Sequence, residues 1–296
     1  VAARYVGRFA PSPSGPLHFG SLATALASFV DARQHGGQWL LRIEDIDPPR
    51  EVDGATDEII ASLHRHGLQW DGEIMLQNKR SDMYDAALAW LDRAGHLYAC
   101  DCTRKQLRAY ADDPNASFRC PQNCQSRRLP LADNPLRVSV PAGCFTAHDL
   151  VRGDQTACVA DDPGDFLVRR RGGLYAYQLA VVVDDHLQGV NHVVRGADLL
   201  DNSPRQVALA ALLGYRAPDY LHLPLALDSD GRKLSKQTGA PAVDDDNALN
   251  NLLAAWRFLG QEVPTAEPQT PAEFLGIAES SWSRARLPAT NHAFCC

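Results

Sequence analysis

The sequence predicts an α/β fold, a doubly wound parallel sheet carrying an inserted α+β module. Three observations lead there. Short apolar runs alternate with stretches of helical spacing early in the chain, a rhythm that sets parallel strands beneath crossover helices. The rhythm fades between Tyr98 and Phe166, where cysteines cluster and Pro, Asp and Asn become frequent. It then resumes as far as about residue 240. Residues 1–97 and 167–240 are thus the expected halves of one domain, 98–166 an insertion, and 241–296 a short, mostly helical C-terminal region.

Taken in order, Tyr5 to Ala10 reads as a strand. From Gly20 to Gln34, Leu22, Ala25, Leu26, Phe29 and Val30 recur at helical spacing, and Gly36-Gly37 ends the helix. Gln38 to Glu44 reads as a buried strand. Asp53 to His66 and Ser81 to Ala94 read as helices, the second with Ser81 as N-cap and Gly95 as its stop. After the insertion, Tyr177 to Leu187 is an apolar helix, His192 to Arg195 a strand and Ser203 to Leu213 a helix. Tyr220 to Leu227 is expected as one strand and Asn247 to Leu259 as a helix, followed by a polar, proline-rich tail beyond Gln261.

Composition bounds the function. With 296 residues, 45% of them hydrophobic and 22% charged, the chain can bury a substantial core. No run of about 18 apolar residues marks a membrane span. Val1-Ala2-Ala3-Arg4-Tyr5 lacks the basic-then-apolar pattern of a secretory leader, so the expected location is cytoplasmic. The net charge of −7 leaves nucleic-acid binding to local basic patches. Candidates are Arg104, Lys105 and Arg108; Arg119, Arg127 and Arg128; and Arg169, Arg170 and Arg171.

Two stretches carry the chemistry. Pro13-Ser14-Gly15-Pro16-Leu17-His18-Phe19-Gly20-Ser21 opens a helix straight out of the first strand. A helix N-terminus offers unpaired N–H groups and partial positive charge to phosphate oxygens, and Gly15 and Gly20 let a ligand approach the backbone. His18 can donate to a phosphate oxygen as charge builds on it. Far downstream, Lys233-Leu234-Ser235-Lys236-Gln237 follows an Asp230-Gly231 turn, and its two lysines suit the β- and γ-phosphates of a leaving pyrophosphate. No G-x-G-x-x-G occurs, so no dinucleotide is implied.

Cys100, Cys102, Cys120 and Cys124 form C-x-C and C-x₃-C pairs. Clustered cysteines in a cytosolic chain point to metal rather than disulfides, and four thiolates suit one structural Zn²⁺; four unliganded buried thiols are the alternative. Cys144, Cys158, Cys295 and Cys296 have no informative spacing. Arg8 and Arg195, at strand ends, could fork a carboxylate. Glu44 could pair with an ammonium group, and Tyr177 could add a hydroxyl. Arg42 with Glu44 could equally be a strand-end ion pair, and Asp184-Asp185-His186 reads as a helix end or a metal or acid/base cluster.

His18-Phe19-Gly20-Ser21 and Lys233-Leu234-Ser235-Lys236-Gln237 resemble the HIGH and KMSKS signatures of class I aminoacyl-tRNA synthetases. Arg8-Phe9-Ala10-Pro11-Ser12-Pro13-Ser14-Gly15, Leu41-Arg42-Ile43-Glu44-Asp45-Ile46-Asp47 and Val193-Val194-Arg195-Gly196-Ala197-Asp198 are similar to the glutamyl/glutaminyl branch. Across roughly residues 5 to 240 the chain resembles truncated paralogues of glutamyl-tRNA synthetase that modify tRNA(Asp).

The resemblance implies a Rossmann-like catalytic domain, with 98–166 as a zinc-binding, acceptor-stem-like module. It implies ligase activity: ATP, with Mg²⁺, activates L-glutamate as an adenylate. Glutamate would be bound by Arg8, Phe9, Ala10, Pro11, Ser12, Glu44, Tyr177 and Arg195, and ATP by His18, Gly20, Ser21 and Lys236. His18, Lys233 and Lys236 would be catalytic. Residues 237–296 are too few for an anticodon-binding region of about 100–150 residues. The implied acceptor is therefore the queuosine base in the anticodon stem-loop of tRNA(Asp), an exposed loop that a protein can read, and the expected state is a monomer without membrane partners. Two other readings stay open: a minimal glutamyl-tRNA synthetase charging a tRNA 3′ end, and a non-catalytic paralogue that senses glutamate or an adenylate.

Overall fold

The computed structural model describes residues 4–103, 105–106, 123–227, 241–263, 265–290 and 292–294. Arg104, Arg108, Arg119, Cys120, Asp230, Gly231, Lys233, Ser235, Lys236, Cys295 and Cys296 lie outside the described residues.

Strand β1 (Val6–Phe9) pairs in parallel with β2 (Gln38–Ile43), and β2 with the short β3 (Met75–Leu76). Helix α1 (Phe19–Gln34) makes the crossover between β1 and β2. A second parallel pair, β9 (His192–Gly196) and β10 (Asp219–Leu223), lies against the other side of β1. There the Val6 N–H donates to the Asn191 side-chain oxygen at 2.8 Å, and the Asn191 N–H donates to the Val6 carbonyl at 3.0 Å. The order is therefore β3-β2-β1-β9-β10, and the chain's direction of travel reverses between β1 and β9. Parallel sheets take ligands in the crevice at such a reversal, beyond the carboxyl ends of the strands.

Two cores flank this sheet. One packs α1, α7 (Ala248–Phe258) and α8 (Pro271–Ser281) over β1 and β2 through Leu22, Leu26, Phe29, Trp39, Leu41, Trp256 and Phe274. The other gathers α3 (Ser81–Arg93), α5 (Tyr177–Leu187) and α6 (Ser203–Leu213) through Tyr84, Leu88, Leu179, Val183 and Leu209. Helix α2 (Ala55–Arg65) turns Ile59 and Leu63 into the first core. Close approach fixes Gly37, where a Cβ would stand 2.6 Å from the Tyr5 carbonyl oxygen.

The helices α5 and α6 run over the residues expected of them. Ser81 does not cap α3: it is the first helical residue, Arg80 precedes it without a side-chain cap, and Gly95 ends the helix at φ 76°. The single strand expected over Tyr220 to Leu227 is two, β10 and β11 (Leu225–Leu227), because Pro224 between them has no N–H to donate.

The insertion contains an antiparallel sheet, β4 (Leu97–Ala99), β5 (Leu136–Val138) and β8 (Phe166–Arg169). It also holds the short helix α4 (Asn123–Arg127) and a hairpin of β6 (Phe145–Ala147) and β7 (Gln155–Ala157). The sheet takes in Leu97 and reaches Arg169, so the limits expected at 97/98 and 166/167 fall inside strands. Cys144 and Cys158, which carry no sequence signal, are joined in a disulfide at the ends of this hairpin.

The C-terminal part is mostly helical, as expected, and its proline-rich stretch beyond Gln261 carries both a helix and a strand. Helix α8 starts at Pro271 behind a Thr270 cap, and β12 (His292–Phe294) pairs in parallel with β11. Asp31, fully buried on α1, holds this region down. Its carboxylate accepts from the Tyr5 hydroxyl at 2.6 Å, Trp282 Nε1 at 2.8 Å, Arg284 Nε at 2.7 Å and Arg284 Nη2 at 2.8 Å. Burial pushes the Asp31 pKa up, but the Arg284 guanidinium and the other donors outweigh it and hold it below the usual 3.8. A depressed carboxylate pKa gives stability that is complete above the unfolded value and lost as pH falls through the folded one. Asp31→Asn is expected to cost about 3 kcal/mol in urea unfolding at pH 7, with the deficit closing below pH 3.8.

Candidate active site

The crevice at the strand-order reversal is built from the exits of β1, β2 and β9. The Glu44 N–H donates to the Pro11 carbonyl at 3.0 Å, tying the loop after β1 to the residue after β2. A cavity of about 340 Å³ opens here, lined by Ser12, Pro13, Ser14, Glu44, Asp47, Arg50 and Glu51. A smaller one adjoins it, sharing Ser12, Glu44, Asp47 and Arg50 and adding Ile46, Arg170, Tyr175 and Tyr177.

Alternating charges stand behind the wall. Arg8 Nε donates to Asp185 Oδ1 at 3.1 Å, and Arg42 Nη2 donates to the same oxygen at 2.7 Å. Arg42 also donates to Gln188 Oε1 at 2.8 Å and, weakly, to Glu44 Oε1 at 3.5 Å. Among the described residues, the two terminal amino groups of Arg8 meet no acceptor. Burial raises the Glu44 pKa and outweighs the pull of Arg42 and Arg8. Glu44 is thus a nearly enclosed carboxylate, its side chain 8% exposed, with one long contact to a cation.

Arg195 is differently placed. It donates from Nε to His222 Nε2 at 3.0 Å, and from Nη1 to Gln206 Oε1 at 2.7 Å and the Tyr177 hydroxyl at 3.5 Å. From Nη2 it donates to Ser203 Oγ at 2.9 Å and the Leu199 carbonyl at 3.3 Å. A guanidinium has five N–H donors, and all five are engaged. The fork expected for a carboxylate is turned inward, and the long Tyr177 contact is the one most readily exchanged.

Of the other expected residues, Phe9 is a core side chain, its ring 6.3 Å from that of Trp39, so only its backbone can face the crevice. Ala10 and Pro11 are half-buried, and Ser12 is exposed on the cavity wall. His18 caps α1: its Nδ1 accepts from the Ser21 N–H at 3.2 Å, and Ser21 Oγ lies 3.0 Å from Nε2. The first turn of α1 carries no acidic residue of its own. A Cβ on Gly20 would sit 3.3 Å from the His18 ring and 3.7 Å from the Ala226 Cβ. On the far side of the lysine-bearing segment, Ala242 bridges to His18 and the Val243 N–H donates to the Leu17 carbonyl at 2.9 Å. The described residues on both flanks of 228–240 therefore reach the start of α1.

Sequence reasoning missed Arg50, Glu51 and Tyr175. The first two follow directly after the quoted Leu41-to-Asp47 motif, on a turn begun by Pro48-Pro49, which was signal enough. It also offered Arg170 and Arg127 as members of candidate nucleic-acid-binding patches. Arg170 Nη1 donates to Asp47 at 3.1 Å, and Arg127 makes a two-pronged pair with Asp101 at 2.7 and 2.8 Å. Asp184 and Asp185 form no acid/base cluster: Asp184 is wholly buried and accepts from Gln77, Arg80 and Tyr84.

The Sγ atoms of Cys100, Cys102 and Cys124 lie within 4.8 Å of one another, with Cys100 and Cys124 buried. Burial and the neighbouring thiols push the Cys102 pKa up to about 12. A bound soft cation would reverse that, and this donor set suits one.

The crevice lies at the strand-order reversal, with Ser12 to Ser14 on one wall and Glu44 on the other. The family of tRNA synthetases class I (E and Q), catalytic domain, matches residues 5–254, and the chain belongs to that family of ligases. It is 48% identical over 285 residues to the Glutamyl-Q tRNA(Asp) synthetase of Ectopseudomonas mendocina (strain ymp), covering 96% of this chain and 95% of that one. The protein of the same name from Chromobacterium violaceum is 47% identical over 288 residues, covering 97% of this chain and 96% of that one. The fold matches the crystal structure of the glutamate-tRNA synthetase from Elizabethkingia anophelis with a TM-score of 0.82 at 24% identity, over 99% of this chain and 68% of that one.

Glu44 sets a stability test. A carboxyl whose folded pKa is raised favours folding below its unfolded value, near 4.5, and loses that contribution as pH rises through the folded value. Glu44→Gln is therefore expected to melt about 2 °C higher than the parent at pH 7 and level with it at pH 4, as read by calorimetry.

Proposed function

We propose that this chain activates L-glutamate with ATP as glutamyl-adenylate and transfers the glutamyl group to the queuosine base in the anticodon stem-loop of tRNA(Asp). The observation that carries the first step is Glu44: a buried carboxylate with one weak cation contact, on the wall of a cavity it shares with Ser12, Pro13 and Ser14. Such a group calls for an ammonium partner, and an amino acid supplies one. Arg8 stands behind it with open terminal donors for a carboxylate. Tyr177 adds a hydroxyl from the adjoining cavity, its weakest partner being Arg195.

An oxygen of the glutamate α-carboxylate attacks the α-phosphorus of ATP, and the bond to pyrophosphate breaks. His18 and the N–H groups that open α1 stabilise the charge growing on the phosphate oxygens, joined by Lys233 and Lys236 and by the Mg²⁺ that accompanies ATP. No protein group attacks, so positioning and electrostatics do the catalysis. A hydroxyl of the queuosine cyclopentenediol then attacks the glutamyl carbonyl and AMP leaves, the hydroxyl proton passing to the departing phosphate. The acceptor rests on the relatives named above, whose names specify tRNA(Asp). Cys100, Cys102 and Cys124, with Cys120, would hold one structural Zn²⁺, which would order the insertion.

The test is ATP-dependent transfer of labelled glutamate to queuosine-containing tRNA(Asp), unmodified tRNA(Asp) and tRNA(Glu). Label is expected on the first alone. Label on tRNA(Glu) would make this a small charging enzyme and overturn the acceptor assignment.

A further inference from the structure

Beneath the crevice lies a buried polar relay that contact with a substrate does not by itself require. Residues 148–150 run beside β10: the Tyr220 N–H donates to the His148 carbonyl, and the Leu150 N–H donates to the Tyr220 carbonyl, both at 2.8 Å. This places the Asp149 carboxylate against His222, and neither side chain is exposed at all. Asp149 Oδ2 lies 2.6 Å from His222 Nδ1 and accepts from the His222 backbone N–H at 3.1 Å. Its Oδ1 accepts from the N–H groups of Val151 at 2.9 Å and Arg152 at 2.6 Å. Four donors converge on one carboxylate and hold it ionised.

The other ring nitrogen, Nε2, receives the Nε–H of Arg195 at 3.0 Å. Arginine can only donate, so Nε2 must be the acceptor and the ring proton sits on Nδ1, facing Asp149. The imidazole is therefore neutral, in a single tautomer, interposed between an anion and a cation. The spacing matters. Arg8 touches the Asp185 carboxylate directly, whereas among the described residues the partners of Arg195 are neutral: His222, Gln206, Ser203, the Leu199 carbonyl, Tyr177 and the Tyr220 ring. Arg195 thus keeps its full charge on the Tyr177 side while its plane is fixed from behind.

We infer that His222, its tautomer set by Asp149, is a positioning residue of the amino-acid site, fixing Arg195 and through it the Tyr177 hydroxyl for an anionic amino acid. The inference rests on the glutamate reading above. His222→Leu removes the acceptor. Asp149→Asn offers an amide N–H to Nδ1, which favours the opposite tautomer and turns Nε2 into a donor facing Arg195. His222→Gln keeps a neutral oxygen acceptor that can reach Arg195.

The readout is the KM for glutamate and for ATP in glutamate-dependent exchange of pyrophosphate into ATP, alongside melting temperature. In His222→Leu and Asp149→Asn the glutamate KM is expected to rise about 10-fold or more, the worth of a hydrogen bond to a charged group, with the ATP KM within twofold of the parent. His222→Gln should recover most of the loss. Should His222→Leu fail to fold, the Asn and Gln variants decide alone. An unchanged glutamate KM in the folded variants, or a parallel rise in both KM values that Gln does not rescue, would overturn the inference and leave a structural relay. A parent protein whose exchange is independent of glutamate would sink the functional reading, and this inference with it.

Discussion

One oxygen of Asp185 holds the crevice together. It accepts from Arg8 on β1 and from Arg42 on β2, two arginines on neighbouring strands that are 4% and 0% exposed. Without that carboxylate the two cations would be buried side by side, at a cost no hydrophobic packing offsets. Asp185 comes from α5, on the second core, so the same contact locks that helix beneath the first sheet. The sequence of charges Arg8, Asp185, Arg42, Glu44 then ends on Glu44 with its negative charge least compensated. Where an ammonium group is to bind follows from where this series stops.

The neighbouring residue serves a different end. Asp184 turns to the other side of α5 and takes Gln77, Arg80 and Tyr84, which fastens the start of α3. Two adjacent aspartates thus tie one helix to two structures. The pair of arginines shows a similar division. Arg8 is neutralised at its root by Asp185 and keeps its terminal donors open. Arg195 has every donor engaged, yet among the described residues meets no carboxylate. A single crevice thereby holds one cation with free hydrogen bonds and one with a free field.

Local patterns in the sequence were legible wherever periodicity was strong. The apolar spacing of α5 and α6 located both to the residue, and the strand exits around Arg8 and Glu44 follow from the alternation of strands and helices. Helix α8 was hidden by the proline-rich composition around it, although Thr270-Pro271-Ala272-Glu273 has a capping-box sequence: Thr270 Oγ1 accepts from the Glu273 N–H, while the Glu273 carboxylate accepts from the N–H of Gln269, one residue before the cap. Strand β12 had no signal, since its three residues matter only through their pairing with β11. Asp149 and His222 lie far apart in the chain and belong to no spacing pattern. Their partnership exists only because residues 148–150 add to the edge of β10. That Arg195 faces inward could not be read from its place at a strand end, because its five acceptors come from β10, α5, α6 and the turn before α6.

The most direct test of the central claim is the exchange of labelled pyrophosphate into ATP by the purified full chain, with and without tRNA(Asp), across L-glutamate, L-glutamine and L-aspartate. Exchange that requires L-glutamate and collapses in Arg8→Met and Glu44→Gln, while both variants stay folded, is the expected result. Exchange indifferent to the amino acid, or none under either condition, would contradict a crevice built for activating glutamate.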